Sequence, residues 1–300
     1  MSSGILYLNH GEKFLARLLV SLYSLRHPAR AAYAGPVTIL DTDESHNIVN
    51  RIAADERLAP VRVKHFDMRR LRKHSCYVAK AELWRHSPYT AATLLLDADT
   101  IPAKPTISRL LDLAADPAGP GIVVTRFSDW VTTGDIIISR INKWKGMMIA
   151  GMHVAGMIKR SATVPHAAVN TGVVAWQKGA KILADWERLT SAGWSRPFTD
   201  ELAMQLLLRH ENYDHGGHTL VGEQFNASPI YCKRPAEDVV CWHSHGGKHC
   251  LRADGRGEQG HRLWWPIFAE CWRENISGVR EWAPAGDDRL AVHLAKLKAA

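Results

Sequence analysis

The first half of the 300-residue chain alternates short apolar runs with segments of helical periodicity. Apolar runs of this length, bounded by polar residues, are typical of buried strands. They occur at 5–8, 37–40, 61–63, 93–96 and 122–124. Helical segments lie between them, at 14–25, 77–85 and 107–113. Strands that alternate with helices predict a mostly parallel central sheet with helices on both faces, so we expect an α/β fold.

The second half is less regular. Its pattern predicts an unperiodic active-site insertion at 129–165, a strand at 173–176, helices at 182–189 and 202–207, and a closing amphipathic helix after Asp287. Gly193 would end the first of these helices. No repeat or linker is visible. We therefore expect one domain over 1–300, with a nucleotide-binding half at 1–128 and a sugar and acceptor half at 129–300.

Composition excludes several classes of protein. Hydrophobic residues make up 46% of the chain and charged residues 23%, which is typical of a globular protein rather than a disordered one. No apolar run reaches eighteen residues, and the N-terminus lacks a basic start followed by an apolar core, so we expect no membrane span, no signal peptide and a cytoplasmic location. The five cysteines form no CxxC pair, and we expect reduced thiols.

The segment Leu94-Leu95-Leu96-Asp97-Ala98-Asp99-Thr100 is the most informative motif. Ligands of doubly wound sheets bind at the carboxyl ends of strands, where this apolar run ends in two carboxylates. The repulsion between two such carboxylates is relieved by a cation, and hard oxygen ligands favour Mg²⁺ or Mn²⁺. The alternative is that Asp97 or Asp99 only caps the turn before Pro102.

The 94–100 segment resembles the metal-binding DxD motif of the glycogenin-like retaining glycosyltransferases and the related galactosyltransferases of bacterial surface glycans. The resemblance extends in patches from about Ile5 to Lys248. It implies the GT-A (nucleotide-diphospho-sugar transferase) fold, a nucleotide-sugar donor of the UDP type, and a Mn²⁺ or Mg²⁺ ion held by Asp97 and Asp99, with Asp97 also near the nucleotide.

Two further patches resemble donor-binding elements of this family. Glu12 and Phe14 follow the first strand, where the family places an acid near the base and an aromatic ring that stacks on it. Lys80 stands where the family usually has an Arg that reaches the donor sugar or phosphate. Lysine keeps the positive charge but lacks the two parallel N–H donors of a guanidinium. Alternatively, Glu12 only favours the N-terminus of a helix, and Phe14 packs in the hydrophobic core.

The candidate catalytic residues follow from two other patches. Asn170, in Val169-Asn170-Thr171-Gly172, resembles the family's strand start that touches the sugar, although it could simply satisfy a turn. Asp200 falls where the family commonly has Gln, on the face of the sugar opposite the leaving group, and Glu201 falls where it has Asp. Asp200 could be a nucleophile, a base or a stabiliser, so retention and inversion both stay open. Alternatively, both acids complement a helix dipole.

The segment 242–248 resembles a late His-x-x-Gly-x-x-Lys element, whose His is the family's third metal ligand and whose Lys meets the diphosphate. Here the corresponding residues are His243, Gly246 and Lys248, with Lys248 one residue early. His245 is a second candidate for the ligand. A zinc site is a further alternative, which would use residues from the set Cys241, His243, His245, His249 and Cys250.

These observations predict a metal-dependent hexosyltransferase whose acceptor is a glycan, small molecule or protein. The chain has basic runs at 69–74, 143–145 and 159–160 and a net charge of +8, so a DNA or RNA base is an alternative acceptor. The other interpretation of these runs is that they are solvent-exposed surface without a nucleic-acid partner. A second alternative is a non-catalytic nucleotide-sugar-binding protein.

Overall fold

The computed structural model describes residues 1–41, 46–65, 76–119, 121–126, 148–149, 152–153, 169–192, 199–209, 217–244, 258–283 and 294. The chain divides into two compact units that interleave along the sequence. Unit one consists of Met1–Ser3, Met68–Leu94 and Arg109–Asn226, and unit two of Gly4–Asp67, Leu95–Ser108 and Ala227–Ala300. The single domain with a division near residue 128 stays a prediction.

The strands are β1 (Gly4–Asn9), β2 (Val37–Asp41), β3 (Val61–His65), β4 (Ala92–Leu96), β5 (Thr100–Pro102), β6 (Ile122–Arg126), β7 (Met148–Ile149), β8 (Met152–His153), β9 (Val169–Gln177), β10 (Thr219–Val221) and β11 (Cys241–His243). The helices are α1 (Leu15–Arg26), α2 (His46–Ala54), α3 (Cys76–Glu82), α4 (Arg109–Ala115), α5 (Ile182–Ala192), α6 (Thr199–Arg209), α7 (Glu258–Arg273) and α8 (Val279–Trp282). Short 3₁₀ turns include Glu12–Phe14 and Leu83–Arg85.

Seven strands form the central sheet, in the order β10-β6-β9-β4-β1-β2-β3. The pairs β1/β2, β2/β3 and β10/β6 are parallel, whereas β6 and β9 are antiparallel. The mostly parallel α/β sheet predicted from the sequence is therefore confirmed. Strands β5 and β11 form a separate antiparallel pair, as do β7 and β8 within the predicted insertion. The rest of that insertion lies largely outside the described residues.

In unit two, β1 and β2 are almost entirely buried, as expected for strands covered on both faces. Helix α1 packs against β5 and α7. In unit one, α3, α5 and α6 contact one another, and Trp186 of α5 is fully buried among them. None of the helices in the described ranges has the length and hydrophobicity needed to cross a bilayer.

Helix α7 was not predicted from the sequence. Pro266 lies inside it, and proline in a helix interior removes a backbone hydrogen bond. Its buried aromatic face offsets this cost, since the Trp264 and Phe268 rings stack with centroids 4.8 Å apart. The predicted closing helix after Asp287 lies outside the described residues except for Leu294, which is buried and helical.

Candidate active site

The paired carboxylates lie in a closed turn between β4 and β5. The Thr100 amide donates to the Asp97 carbonyl at 3.0 Å, and the Thr100 hydroxyl donates to the same oxygen at 2.7 Å. This double anchor fixes the backbone of Asp97. Asp99 is 8% exposed, while Asp97 is more open to solvent. The turn therefore presents one buried and one accessible carboxylate.

His243 reaches the same turn through strand pairing. Strand β11 runs antiparallel to β5, and His243 is opposite Thr100 in the register. The amide of the next residue, Ser244, donates to the Asp99 carbonyl at 3.1 Å. A residue far away in the sequence is thus fixed beside the carboxylates by backbone hydrogen bonds.

The three side chains form a compact cluster. His243 Nε2 lies 3.2 Å from Asp99 Oδ1 and 3.6 Å from Asp97 Oδ2. One ligand atom from each of the three residues lies within 4.8 Å of the others. Two carboxylate oxygens and one imidazole nitrogen at this spacing suit a divalent cation of the Mn²⁺ or Mg²⁺ type, which also offsets the repulsion between the acids.

The zinc alternative gains no support from the described part of the chain. Cys241 does not belong to the cluster. Its thiol is buried, which raises the thiol pKa and disfavours the thiolate that zinc requires, and it donates weakly to the Trp242 carbonyl at 3.6 Å. His245, His249 and Cys250 lie outside the described residues, as do Gly246 and Lys248.

A chain of buried hydroxyl groups supports the Asp97 turn from behind. Tyr7 Oη lies 2.9 Å from Ser21 Oγ, which lies 3.2 Å from Thr100 Oγ1. Because the only hydroxyl proton of Thr100 goes to the Asp97 carbonyl, Thr100 accepts from Ser21, and Ser21 in turn accepts from Tyr7. Burial raises the Tyr7 pKa and keeps the phenol protonated. The hydrogen bonds therefore all point the same way, from the Tyr7 hydroxyl through Ser21 and Thr100 to the Asp97 carbonyl.

We expect Thr100→Val to weaken Mn²⁺ affinity about tenfold, as is usual when a group that orients a metal ligand is lost. Ser21→Ala should weaken it in the same direction. Ser24 is the matched control, because it is equally buried on α1 but donates to the Pro102 carbonyl at 2.7 Å, at the other end of β5. Isothermal titration calorimetry with MnCl₂ measures the affinity. Equal losses in Ser21→Ala and Ser24→Ala would show that only general stability changed.

The predicted nucleotide-contacting residues follow β1. Gly11, with φ of 82°, turns the chain into the 3₁₀ helix Glu12–Phe14. Glu12 is exposed and Phe14 is half-buried, with the Arg17 guanidinium 5.3 Å from its ring centroid. The contacts of Glu12 and Phe14 with a base stay predictions.

In unit one, Asp200 is 1% exposed at the start of α6. Its Oδ2 accepts from the Thr171 hydroxyl at 2.6 Å and lies 3.2 Å from Lys80 Nζ. The Trp186 indole donates to the Asp200 carbonyl at 2.8 Å. Within the described residues, Asp200 Oδ1 has no hydrogen-bond partner although it is buried. Glu201 is the more accessible of the two acids.

Asn170 is fully buried in a polar network of unit one. Its Oδ1 accepts from the Gly172 amide at 2.7 Å and from Asn226 Nδ2 at 2.9 Å. Asn226 also donates to Thr125 Oγ1 at 2.7 Å. The side-chain carbonyl of Asn170 therefore stabilises the start of β9. Its contact with a sugar stays a prediction.

The structure thus brings together two predicted groups of residues, Asp97 with Asp99 and His243, and Lys80 with Asp200. Thr171, Ser21 and Arg17 were not among the residues predicted from the sequence. Thr171 follows a named residue, which was a weak signal. Ser21 and Arg17 are buried polar residues in a largely apolar helix. Such residues indicate a role only when the group that they contact on another element is known.

No protein-family model and no curated protein matches the sequence. Solved structures do match the fold. The galactosyltransferase LgtC, solved with donor and acceptor sugar analogues, has a TM-score of 0.60 at 14% identity over 89% of this chain and 96% of its own. Mouse xyloside xylosyltransferase 1 has a TM-score of 0.54 at 12% identity, over 82% of this chain and 99% of its own.

The glycosyltransferase GlyE of Streptococcus pneumoniae has a TM-score of 0.52 at 12% identity, over 92% of this chain and 64% of its own. These neighbours, together with the mostly parallel central sheet, show that the chain has the fold of the GT-A glycosyltransferases. The family resemblance noted in the sequence is confirmed at the level of fold.

Proposed function

We propose that this protein is a metal-dependent glycosyltransferase that moves a hexose-type sugar from a UDP-sugar to an acceptor hydroxyl. The observation that carries the proposal is the Asp97, Asp99 and His243 cluster at the end of a central strand. A pair of carboxylates with an imidazole beside it has a clear chemical use in this fold, because a donor diphosphate needs a cation. The galactosyltransferase neighbour supports the choice of a hexose.

In this proposal Asp97, Asp99 and His243 would hold Mn²⁺ or Mg²⁺, and a cation bound there would offset negative charge on the departing diphosphate. Lys248 would add a positive charge and Gly246 a backbone N–H close to phosphate. Glu12 and Phe14 would contact the base. The Thr100 hydroxyl keeps the Asp97 backbone in place, so that the carboxylate need not reorganise when the ligand binds.

During transfer, the bond from the anomeric carbon to the phosphate oxygen breaks, with its electron pair leaving on the diphosphate. A new bond forms to the acceptor oxygen, whose proton passes to a base. The carbon passes through an oxocarbenium-like state, which a carboxylate stabilises. We assign this carboxylate to Asp200, with Glu201 and Asn170 as further sugar contacts and Lys80 as the cation that pairs with Asp200.

His243→Ala should raise the Mn²⁺ concentration required for binding by at least about 100-fold. Loss of a group that only supports a metal ligand already lowers metal affinity by about 10- to 100-fold, and His243 would be a direct ligand. His245→Ala is the matched variant and should change it little. Calorimetric titration with MnCl₂ gives both values. The reverse ranking would transfer the ligand role to His245.

A thermal-shift screen of nucleotide sugars with and without Mn²⁺ tests the function, because a ligand that binds only the native state raises the melting temperature. We expect one UDP-sugar to stabilise the protein, and only when Mn²⁺ is present. Stabilisation without turnover on any acceptor would favour a non-catalytic binding protein. Binding to duplex DNA that weakens steeply with salt would favour a nucleic-acid acceptor. We also propose a cytoplasmic location.

A further inference from the structure

Arg17 is a buried cation in helix α1. Its residue surface is 9% exposed, and its Nε has no hydrogen-bond partner. Within the described part of the chain it makes no ion pair, and its one polar or ring contact is the cation–π contact with the Phe14 ring at 5.3 Å. A buried guanidinium normally has a carboxylate or several carbonyl acceptors.

The other arginines that stack on aromatic rings in the described residues differ from Arg17 in this respect. Each of them also has a hydrogen-bond acceptor: the Leu58 carbonyl for Arg26, the Glu270 carboxylate for Arg30, and the Glu187 carboxylate for Arg85. The cation–π contact alone offsets only part of the desolvation of a guanidinium. Arg17 therefore has unused donors that an anion would satisfy.

The position of Arg17 on α1 indicates which anion. Arg17, Ser21 and Ser24 are spaced i, i+4 and i+7, so they lie on one face of the helix. Ser24 donates to the Pro102 carbonyl at 2.7 Å, and Ser21 lies 3.2 Å from the Thr100 hydroxyl. This face thus runs in the same direction as β5. The preceding turn of the helix, which carries Arg17, therefore continues in the direction of the Asp97–Asp99 turn.

We propose that Arg17 binds a phosphate group of the nucleoside diphosphate whose metal-binding site is formed by Asp97, Asp99 and His243. This inference rests on the proposed function. A guanidinium offers two parallel N–H donors to phosphate oxygens and is desolvated more easily than an ammonium group, which suits a site that is already buried. The Phe14 ring, 5.3 Å from the guanidinium carbon, supports the side chain through the cation–π contact.

The test is calorimetric titration of wild-type protein and Arg17→Met with UDP and with inorganic pyrophosphate, each with Mn²⁺. We expect Arg17→Met to weaken both ligands by roughly 10- to 100-fold, since hydrogen bonds between charged groups are lost. The melting temperature of the ligand-free variant should not fall, because a buried unpaired charge is removed. Arg17→Lys should lie between wild type and Arg17→Met.

Arg30→Met is the matched control. Arg30 also stacks on an aromatic ring, Tyr23, but its charge is paired with Glu270, so its loss should lower the melting temperature and leave both affinities unchanged. If Arg17→Met weakens UDP but not pyrophosphate, Arg17 serves the Phe14 ring and the proposal is wrong. Unchanged affinity for both ligands would also overturn it. If wild-type protein binds neither ligand, the proposed function itself fails.

Discussion

Asp99→Asn should abolish measurable sugar transfer, and Asp97→Asn should reduce it almost as much. Each change removes a charged oxygen ligand from a cluster in which the histidine nitrogen lies 3.2 Å from Asp99 and 3.6 Å from Asp97. An ion of this kind contributes several kcal/mol to stabilising charge in the transition state, so its loss corresponds to about 10³-fold or more in rate. The fold should persist, because removing one of two repelling carboxylates relieves strain in the ligand-free state.

Two measurements separate this expectation from simple damage to the protein. Calorimetry with MnCl₂ should show that both variants lose metal affinity, and thermal melting without metal should show no destabilisation. Asp112→Asn, an exposed acid on α4, is the control and should behave as wild type. Near-normal turnover of either cluster variant with Mn²⁺ present would show that these carboxylates do not hold the catalytic ion.

Asp200→Asn should cut turnover by about 10²- to 10⁴-fold, the contribution expected of a positioned carboxylate, with little change in donor affinity. Asparagine keeps the shape and can still accept from Thr171, but it loses the charge that faces Lys80. The variant therefore removes the carboxylate charge beside a partly buried ammonium, and some loss of stability is expected.

The double variant Asp200→Asn with Lys80→Met distinguishes a structural ion pair from a catalytic carboxylate. Removing both charges should restore much of the stability that the single change costs, but it should not restore turnover. If activity recovers with stability, Asp200 acts only through the pair. Steady-state kinetics and thermal melting of the single and double variants provide the comparison.

Asp200→Gln separates the possible chemical roles, because it introduces the residue common in the resembling family. Measurable activity would indicate that charge at this position is not essential, whereas a nearly inactive enzyme would indicate a base or nucleophile. The stereochemistry of the new linkage, determined by NMR, then decides between these, since a base implies inversion. Full activity in both the Asn and the Gln variant would show that Asp200 only complements the helix dipole at the start of α6.

The sheet and the metal cluster were predictable for different reasons. Strands such as 37–40 are recognisable because local burial on both faces leaves continuous apolar runs. Asp97 and Asp99 were identified because they end such a run. His243 was named only through a family motif, since its approach to the carboxylates depends on the pairing of β11 with β5, which local periodicity does not encode.

The supporting residues could not be predicted because their roles depend on long-range contacts. Ser21 looks like a neutral helix residue until it is seen beside Thr100, and Thr171 has no evident partner until α6 places Asp200 next to it. Helix α7 was missed because Pro266 argues against a helix, while the stacking of Trp264 on Phe268 that offsets it depends on helix formation itself.

Metal-dependent cleavage of a nucleotide sugar tests the central claim most directly. Wild-type protein, Asp99→Asn and an EDTA-treated sample are incubated with individual UDP-sugars, and released UDP is quantified by chromatography. The account predicts that wild-type protein with Mn²⁺ releases UDP from at least one UDP-sugar, whereas the variant and the EDTA sample do not. Equal release in all three samples, or no release by wild-type protein from any nucleotide sugar that stabilises it, would contradict the account.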